Sequence, residues 1–456
     1  MRSKLLFLII ILFWLGCSTR EESVSFDPDL ELLFSNDTVN FDTLLSERRS
    51  NTRRLTVYNP NAEAIRLDEI SLGKQNSDYS LIINGRETNT VSNERIFGGD
   101  SMLILVEVNV TSRNEDLPYL VKDSIIFSWN SNQEHVKLVS YGQDARAISS
   151  QIICDETWTN SRPYIISDTV LVQQNCQLLI DPGTQVFYEN DAVMFIAGTL
   201  KANGDSANHI IFRNARFDGV FDQVPGQWNG IYFLEGSTNN EVNYTEIFNG
   251  QIGLRVGTPD DDDIPDLVVN NTTIYNMSVA GILAFTSDVS ATNTLIYNCG
   301  NYLVGGFAGG NYDFRHCTFS NEPALFVQDE PTVQFSDNIV ISENNLLTDE
   351  LSLTVINTII WGTAEEELLI NNGGGEQISL QLEKNIIRSV QEIPNNFTST
   401  EFNFPGFLES FSNNYQLDSL AFARNKGLDI GVEIDLTGRK RDNIPDIGAY
   451  ERFDKE

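Results

Sequence analysis

The sequence predicts an all-β chain in two parts, a sandwich of short strands followed by a solenoid of parallel strands. The solenoid rests on a repeat. Seven copies of one six-residue pattern run through the second half: Tyr244–Asn249, Asn271–Asn276, Asn293–Asn298, His316–Asn321, Asp337–Ser342, Asn357–Gly362 and Lys384–Ser389. Their fourth positions lie 27, 22, 23, 21, 20 and 27 residues apart, a period at which one turn cannot bury its apolar face without its neighbours. The copies are β-branched and alternate in polarity, so each is a strand rather than a helix. The sandwich rests on a change of texture before residue 150, where short apolar runs are separated by turn residues and no helical period appears.

The repeat fixes directions. With the fourth positions (Ile247, Ile274, Ile296, Phe319, Val340, Ile360, Ile387) inward in one column about 4.8 Å per coil, alternation also turns inward the second (Thr245, Thr272, Thr294, Cys317, Asn338, Thr358, Asn385). The sixth (Asn249, Asn276, Asn298, Asn321) turns in with them, and an Asn column there can satisfy backbone groups at the bends. The fifth then faces solvent and holds Phe248, Tyr275, Tyr297 and Trp361. Two readings of these rings follow: an open strip on which a glycan stacks, or rings packed on one another to cover the sheet. In the first part, strands are expected at Leu55–Pro60, Ile65–Leu72, Tyr79–Ile83, Ser101–Val108, Asp123–Phe127 and Val136–Val139.

Asp181-Pro-Gly-Thr-Gln-Val-Phe187, Ala197-Gly-Thr-Leu-Lys-Ala-Asn-Gly204, Ile210-Ile-Phe212 and Gln227-Trp-Asn-Gly-Ile231 resemble the opening coils of the right-handed parallel β-helix proteins of Bacteroidota-type bacteria. His209 stands where that group usually has Pro. Asn414-Tyr-Gln-Leu417, Asp435-Leu-Thr-Gly-Arg439 and Asp446-Ile-Gly-Ala-Tyr-Glu451 are similar to the closing, choice-of-anchor Q-like motif of the same proteins, expected to cap the last coil. Asn59-Pro60, Gly99-Asp100-Ser101 and Gly142 resemble Hydin-type immunoglobulin-like domains. The resemblance implies a fold and a surface location, and no single activity. The expected organisation is a leader over 1–16, a tether over 17–26, an immunoglobulin-like stalk over 27–147 and a right-handed β-helix with its cap over 150–452.

At the N-terminus, Arg2 and Lys4 precede an apolar run from Leu5 to Leu15, too short to span a bilayer. Leu15-Gly16-Cys17 reads as a lipoprotein cleavage site, with Cys17 as the lipidated, palmitate-type anchor residue. The Ser18 to Glu22 stretch looks like the tail signal that sends such lipoproteins through the outer membrane to the cell surface. Thirty basic against 64 acidic residues give −34, and loss of Arg2 and Lys4 with the leader takes this to −36. Such a body repels nucleic acid and anionic lipid, so the anchor, not charge, holds it to a membrane. Among the remaining cysteines, Cys154 and Cys176 are placed for a disulfide bracing the solenoid's first coils, and Cys317 is a buried filler.

Chemistry is less legible. Asp260, Asp261, Asp262 and Asp263, with Arg255 beside them, are the best candidate for calcium against a solvated loop, since a β-helix polysaccharide lyase pairs such an ion with a base. Four consecutive carboxylates cannot all face one ion, which weighs toward the loop. A glycoside hydrolase needs two carboxylates about 5 to 9 Å apart, and 64 acidic residues do not single out a pair. His135, His209 and His316 are too scattered for a zinc site. The expectation is a surface lipoprotein without a cofactor that binds glycans or a surface protein without catalysis, through Phe248, Tyr275 and Tyr297. A lyase or hydrolase acting in the groove, or a structural spacer, are the alternatives.

Overall fold

The computed structural model describes residues 22–453 except 218, 220, 258–263, 324, 327, 329, 343–344 and 399–403, and divides into two compact units, Met1–Asp144 and Ala145–Glu456. The leader and Cys17 lie outside the described residues. So do all four members of the expected calcium cluster, Asp260, Asp261, Asp262 and Asp263.

The first unit is a β-sandwich. A six-stranded sheet built on Ala64–Leu72, Tyr119–Trp129 and Asn132–Gln143 packs on a five-stranded sheet containing Arg53–Tyr58, Ser101–Val108 and Tyr79–Ile83. Alternation sends Leu67, Phe127 and Leu138 from one sheet, and Val57, Leu81 and Ile104 from the other, into one core. The two longest strands outside the pattern, Thr38–Leu45 and Thr90–Ile96, have apolar runs interrupted by Asn40, Asp42 and Glu94. The Asn59-Pro60 and Gly99-Asp100 segments meet at one corner: Asn59 N–H donates to the Asp100 carbonyl at 2.9 Å and Gly99 N–H to the Asn59 carbonyl at 3.0 Å. The buried Asn59 amide closes that corner, donating to the carbonyls of Glu63 and Ile96.

The second unit is a right-handed parallel β-helix of three sheets, with 11, 9 and 9 strands among the described residues, called first, second and third below. One coil reads Leu295–Cys299 in the first sheet, Tyr302–Phe307 in the second and Gly310–Arg315 in the third. The inward column holds for Ile247, Ile274, Ile296, Phe319, Ile360 and Ile387, each in register with the next and fully buried. Val340 is not in it. Phe319 pairs directly with Ile360, while Val340 is 68% exposed on an antiparallel hairpin, Asn338–Ser342 with Asn345–Thr348. The steps of 21 and 20 residues are therefore two parts of one long coil, and its second strand, Val333–Ser336, already separates Asp337 from the first sheet.

The bends explain the polar positions. The chain passes from third to first sheet through single left-handed residues, Tyr244, Asn271, Asn293, His316, Asn357 and Lys384, with φ between 45° and 57°. Asn pays least for that conformation among residues with a side chain. The sixth-position residues Asn249, Asn276 and Asn298 are left-handed too and form a buried ladder. The Asn298 amide donates to Asn276 Oδ1 at 2.9 Å, Asn276 to Asn249 at 3.3 Å, and Asn249 to Asn214 at 2.7 Å. Cys154 and Cys176 form a disulfide between the first two coils. Cys317 and Cys299 are fully buried, and burial lifts both thiols to about 12.

The closing motif does not cap the last coil. Residues from Phe407 to Glu451 form a strap along the outward side of the first sheet, where Phe407, Tyr415, Leu417, Ala423, Leu436, Ile447 and Ala449 cover Leu295, Tyr297, Ile359 and Trp361. A buried polar centre pins it, with Arg441 as its cation. Arg441 pairs with Glu451 at 3.2 Å, the two side chains being 2% and 1% exposed, and donates to Asn293 Oδ1 at 2.9 Å. Asn357 exchanges hydrogen bonds with Leu428 in both directions and donates to His316 Nε2. Gly448 (φ 106°) lies where a Cβ would stand 2.7 Å from Ile359, so only glycine lets the strap descend to the sheet.

Candidate functional site: the outward face of the second sheet

Burial removes the expected ring strip. Phe248, Tyr275 and Tyr297 do stack on successive coils, with centroids 4.6 and 4.9 Å apart and planes within 9°. The strap continues the stack through Tyr415, 5.0 Å from Tyr297. Phe248 and Tyr297 are buried and Tyr275 half-buried; Arg213 lies over Phe248, and burial raises the Tyr275 and Tyr297 hydroxyls above their ordinary range. These rings cover the sheet instead of offering a surface, because the apolar strap residues gain more by sitting on them than in water.

The second sheet is different. Its inward column, Met194, Ile231, Leu254, Ile282 and Val304, fills the core. The residues between them point outward in register: Ile152, Leu171, Phe195, Tyr232, Arg255, Leu283, Gly305, Gln334 and Leu369. Two positions further along, Phe285 pairs with Phe307. A row results. Phe195 and Tyr232 meet at 5.7 Å, Arg255 lies 5.5 Å from the Tyr232 ring and 5.4 Å from Phe285, and Phe285 is 6.1 Å from Phe307. All five residues are partly exposed. By strand spacing the row spans four coil steps, about 19 Å. Gly305 shapes it, since a Cβ there would come within 2.9 Å of the Phe307 ring and 3.1 Å of Leu283, so the ring lies low only over glycine.

The sequence carries a signal for this row. Phe285 and Phe307 are 22 residues apart, the same step as Ile274 and Ile296, so a second aromatic column ran in phase with the first. Other candidates have structural partners. The Cys154 and Cys176 sulfurs beside Asp155 are bonded to each other and are not metal ligands. The run Asp260, Asp261, Asp262 and Asp263 lies outside the described residues, so it contributes no geometry to a site. His209 sits 3.2 Å from Glu246, His135 is exposed on the sandwich, and His316 is buried beneath the strap. Asp266 accepts from the Asp288 N–H and Asp288 from Asn311, a coil-to-coil series of turn contacts.

Residues 200–372 match the family model described as right handed beta helix region. No curated protein matches the chain in sequence. Among solved structures, the chain is similar to the catalytic unit of a thermostable GH87 alpha-1,3-glucanase from Streptomyces thermodiastaticus, at 11% identity over 73% of each chain with a TM-score of 0.25. It is also similar to a PapD-like domain of human CEP192, at 10% identity over 28% of this chain and 95% of that one, TM-score 0.18. A family 123 glycoside hydrolase from Clostridium perfringens matches at 8% identity over 24% of this chain, TM-score 0.18, and the chain spans only 25% of that enzyme. Fold and site together define a β-sandwich joined in sequence to a right-handed β-helix whose second sheet carries a partly exposed aromatic row among the described residues.

Proposed function

We propose that this chain is a surface lipoprotein, anchored through Cys17, whose β-helix binds an extended glycan along the outward face of the second sheet without turning it over. The row Phe195, Tyr232, Arg255, Phe285 and Phe307 is the observation that supports this. Sugar rings stack their apolar faces on such side chains, and a row about 19 Å long suits several residues of a chain better than one monosaccharide. The outward register that holds Phe195, Tyr232 and Arg255 carries no carboxylate among its described residues from Ile152 to Leu369, whereas hydrolysis would need two acids set about 5 to 9 Å apart. That favours binding over catalysis.

Tyr232→Ala and Phe307→Ala are each expected to weaken glycan binding about tenfold on an array or by calorimetry, from roughly 1.4 kcal/mol per lost ring contact. The melting temperature should stay within a few degrees, because both rings are partly exposed. Tyr275→Ala should instead lower the melting temperature and leave binding alone. The reverse pattern would return the site to the first sheet. Cys17→Ala should move the protein from the membrane fraction to soluble extract, and a variant that stays with the membrane would call for a different anchor.

A further inference from the structure

Building on the glycan-binding face proposed above, we infer that its ligand is an acidic polysaccharide and that Arg255 receives an anionic group of the sugar. Arg255 lies between two rings, 5.5 Å from Tyr232 and 5.4 Å from Phe285, in the middle of the row. Three cations elsewhere on the solenoid are matched by carboxylates, Lys201 with Glu241 at 2.7 Å, Arg315 with Asp313 at 2.9 Å, and Arg213 with Asp222, while Lys384, Arg388 and Lys426 lie over single rings. Arg255 makes no ion pair or hydrogen bond with the described residues, although acidic residues outnumber basic ones 64 to 30. Its register neighbours are Tyr232 and Leu283, neither of which supplies an acceptor for a guanidinium here.

A guanidinium flanked by rings is pre-oriented and carries five donors suited to a carboxylate or a sulfate. Stacking on the rings and ion pairing with Arg255 can then act on the same sugar chain at once. The overall negative charge opposes approach of a polyanion, as do the four aspartates from Asp260 to Asp263 that follow Arg255 in sequence; charges more than about 8 Å away are largely screened at physiological ionic strength, so Arg255 has to outweigh those aspartates on contact.

The test uses the mature chain in EDTA, so that calcium cannot bridge acid to acid. Its probes are polygalacturonate against its full methyl ester, dextran sulfate against the parent dextran, and a neutral β-glucan. The wild type should prefer the charged member of at least one pair: the first pair identifies a carboxylate as the partner, the second a sulfate. Arg255→Gln should lose about tenfold on the charged polymer, and nothing on the uncharged one, whereas Arg255→Lys should keep part of the preference. A wild type without preference, or a preference that survives Arg255→Gln, overturns the acidic-ligand inference. If Arg255→Gln weakens both members of a pair equally, Arg255 only packs the face, which also overturns it. The glycan reading fails separately, if no polymer binds or if Tyr232→Ala changes the binding of none; binding of the β-glucan alone, lost in Tyr232→Ala, keeps that reading and rejects acidity.

Discussion

Replacing Arg441 with methionine is expected to destabilise the β-helix by about 3 to 5 kcal/mol, the usual cost of stranding one partner of a buried ion pair. The guanidinium binds Glu451 at 3.2 Å, Asn293 Oδ1 at 2.9 Å and the Gly448 carbonyl at 3.0 Å. Without it, Glu451 remains buried near Asp446, and burial already raises both carboxyls above their ordinary values. The strap would then leave the first sheet and uncover Leu295, Tyr297, Ile359 and Trp361, which it now shields. Thermal unfolding, dye binding to exposed apolar surface, and limited proteolysis between residues 405 and 452 measure the three consequences. A loss under about 1 kcal/mol with no new cleavage would mean that the apolar contacts hold the strap without the ion pair. Arg441→Met combined with Glu451→Leu should recover much of the loss, because a packed apolar pair avoids the unpaired charge.

The contrast between what could and could not be read along the chain follows from range. The inward column was legible because the interval between Ile274 and Ile296 is set by one coil, and a period survives in sequence whatever lies outside it. The asparagines at Asn276 and Asn298 were legible as bend residues for a similar local reason, although their bonding to one another, and not mainly to turn backbone, needed the stacked coils. Val340 misled because a hairpin strand and a solenoid strand share one alternation, and only pairing partners tell them apart. The outward rings misled more deeply. Alternation says that Tyr297 leaves the core, but whether it meets water or Tyr415 depends on a segment more than a hundred residues away. The same limit hid the open row, since Tyr232 and Phe307 differ from Tyr275 and Tyr297 only in what fails to cover them. Arg441 and Arg439 stand two residues apart in one motif, and only the strap's path selects the first.

The other large effect expected is a loss of stability in mild acid, set by His316. Burial, and then the nearby positive charge of Arg441, push its imidazole down to about 2 from an ordinary value near 6.5. Asn357 donates to Nε2 at 2.9 Å, which selects the neutral tautomer protonated on Nδ1, and Nδ1 faces backbone of Asp446 and Gly448 without reaching hydrogen-bond geometry. A histidine depressed in the folded state contributes stability above its unfolded value and loses it as pH falls through 6.5, because only the unfolded chain takes up the proton. Each pH unit below 6.5 costs about 1.4 kcal/mol, so roughly 2 kcal/mol is gone at pH 5. Glu451 and Asp446 have raised values and act with the opposite sign, gaining stability as pH falls through those raised values, so the histidine's share is read from the difference between the wild type and a variant that lacks it. His316→Asn isolates the effect: asparagine tolerates the left-handed backbone at φ 50° and already fills the equivalent bends at Asn271, Asn293 and Asn357. Urea unfolding at pH 7, 6 and 5 should show the wild type losing about 2 kcal/mol relative to the variant between pH 7 and 5. Equal slopes in the two proteins would show that His316 is not the group that titrates.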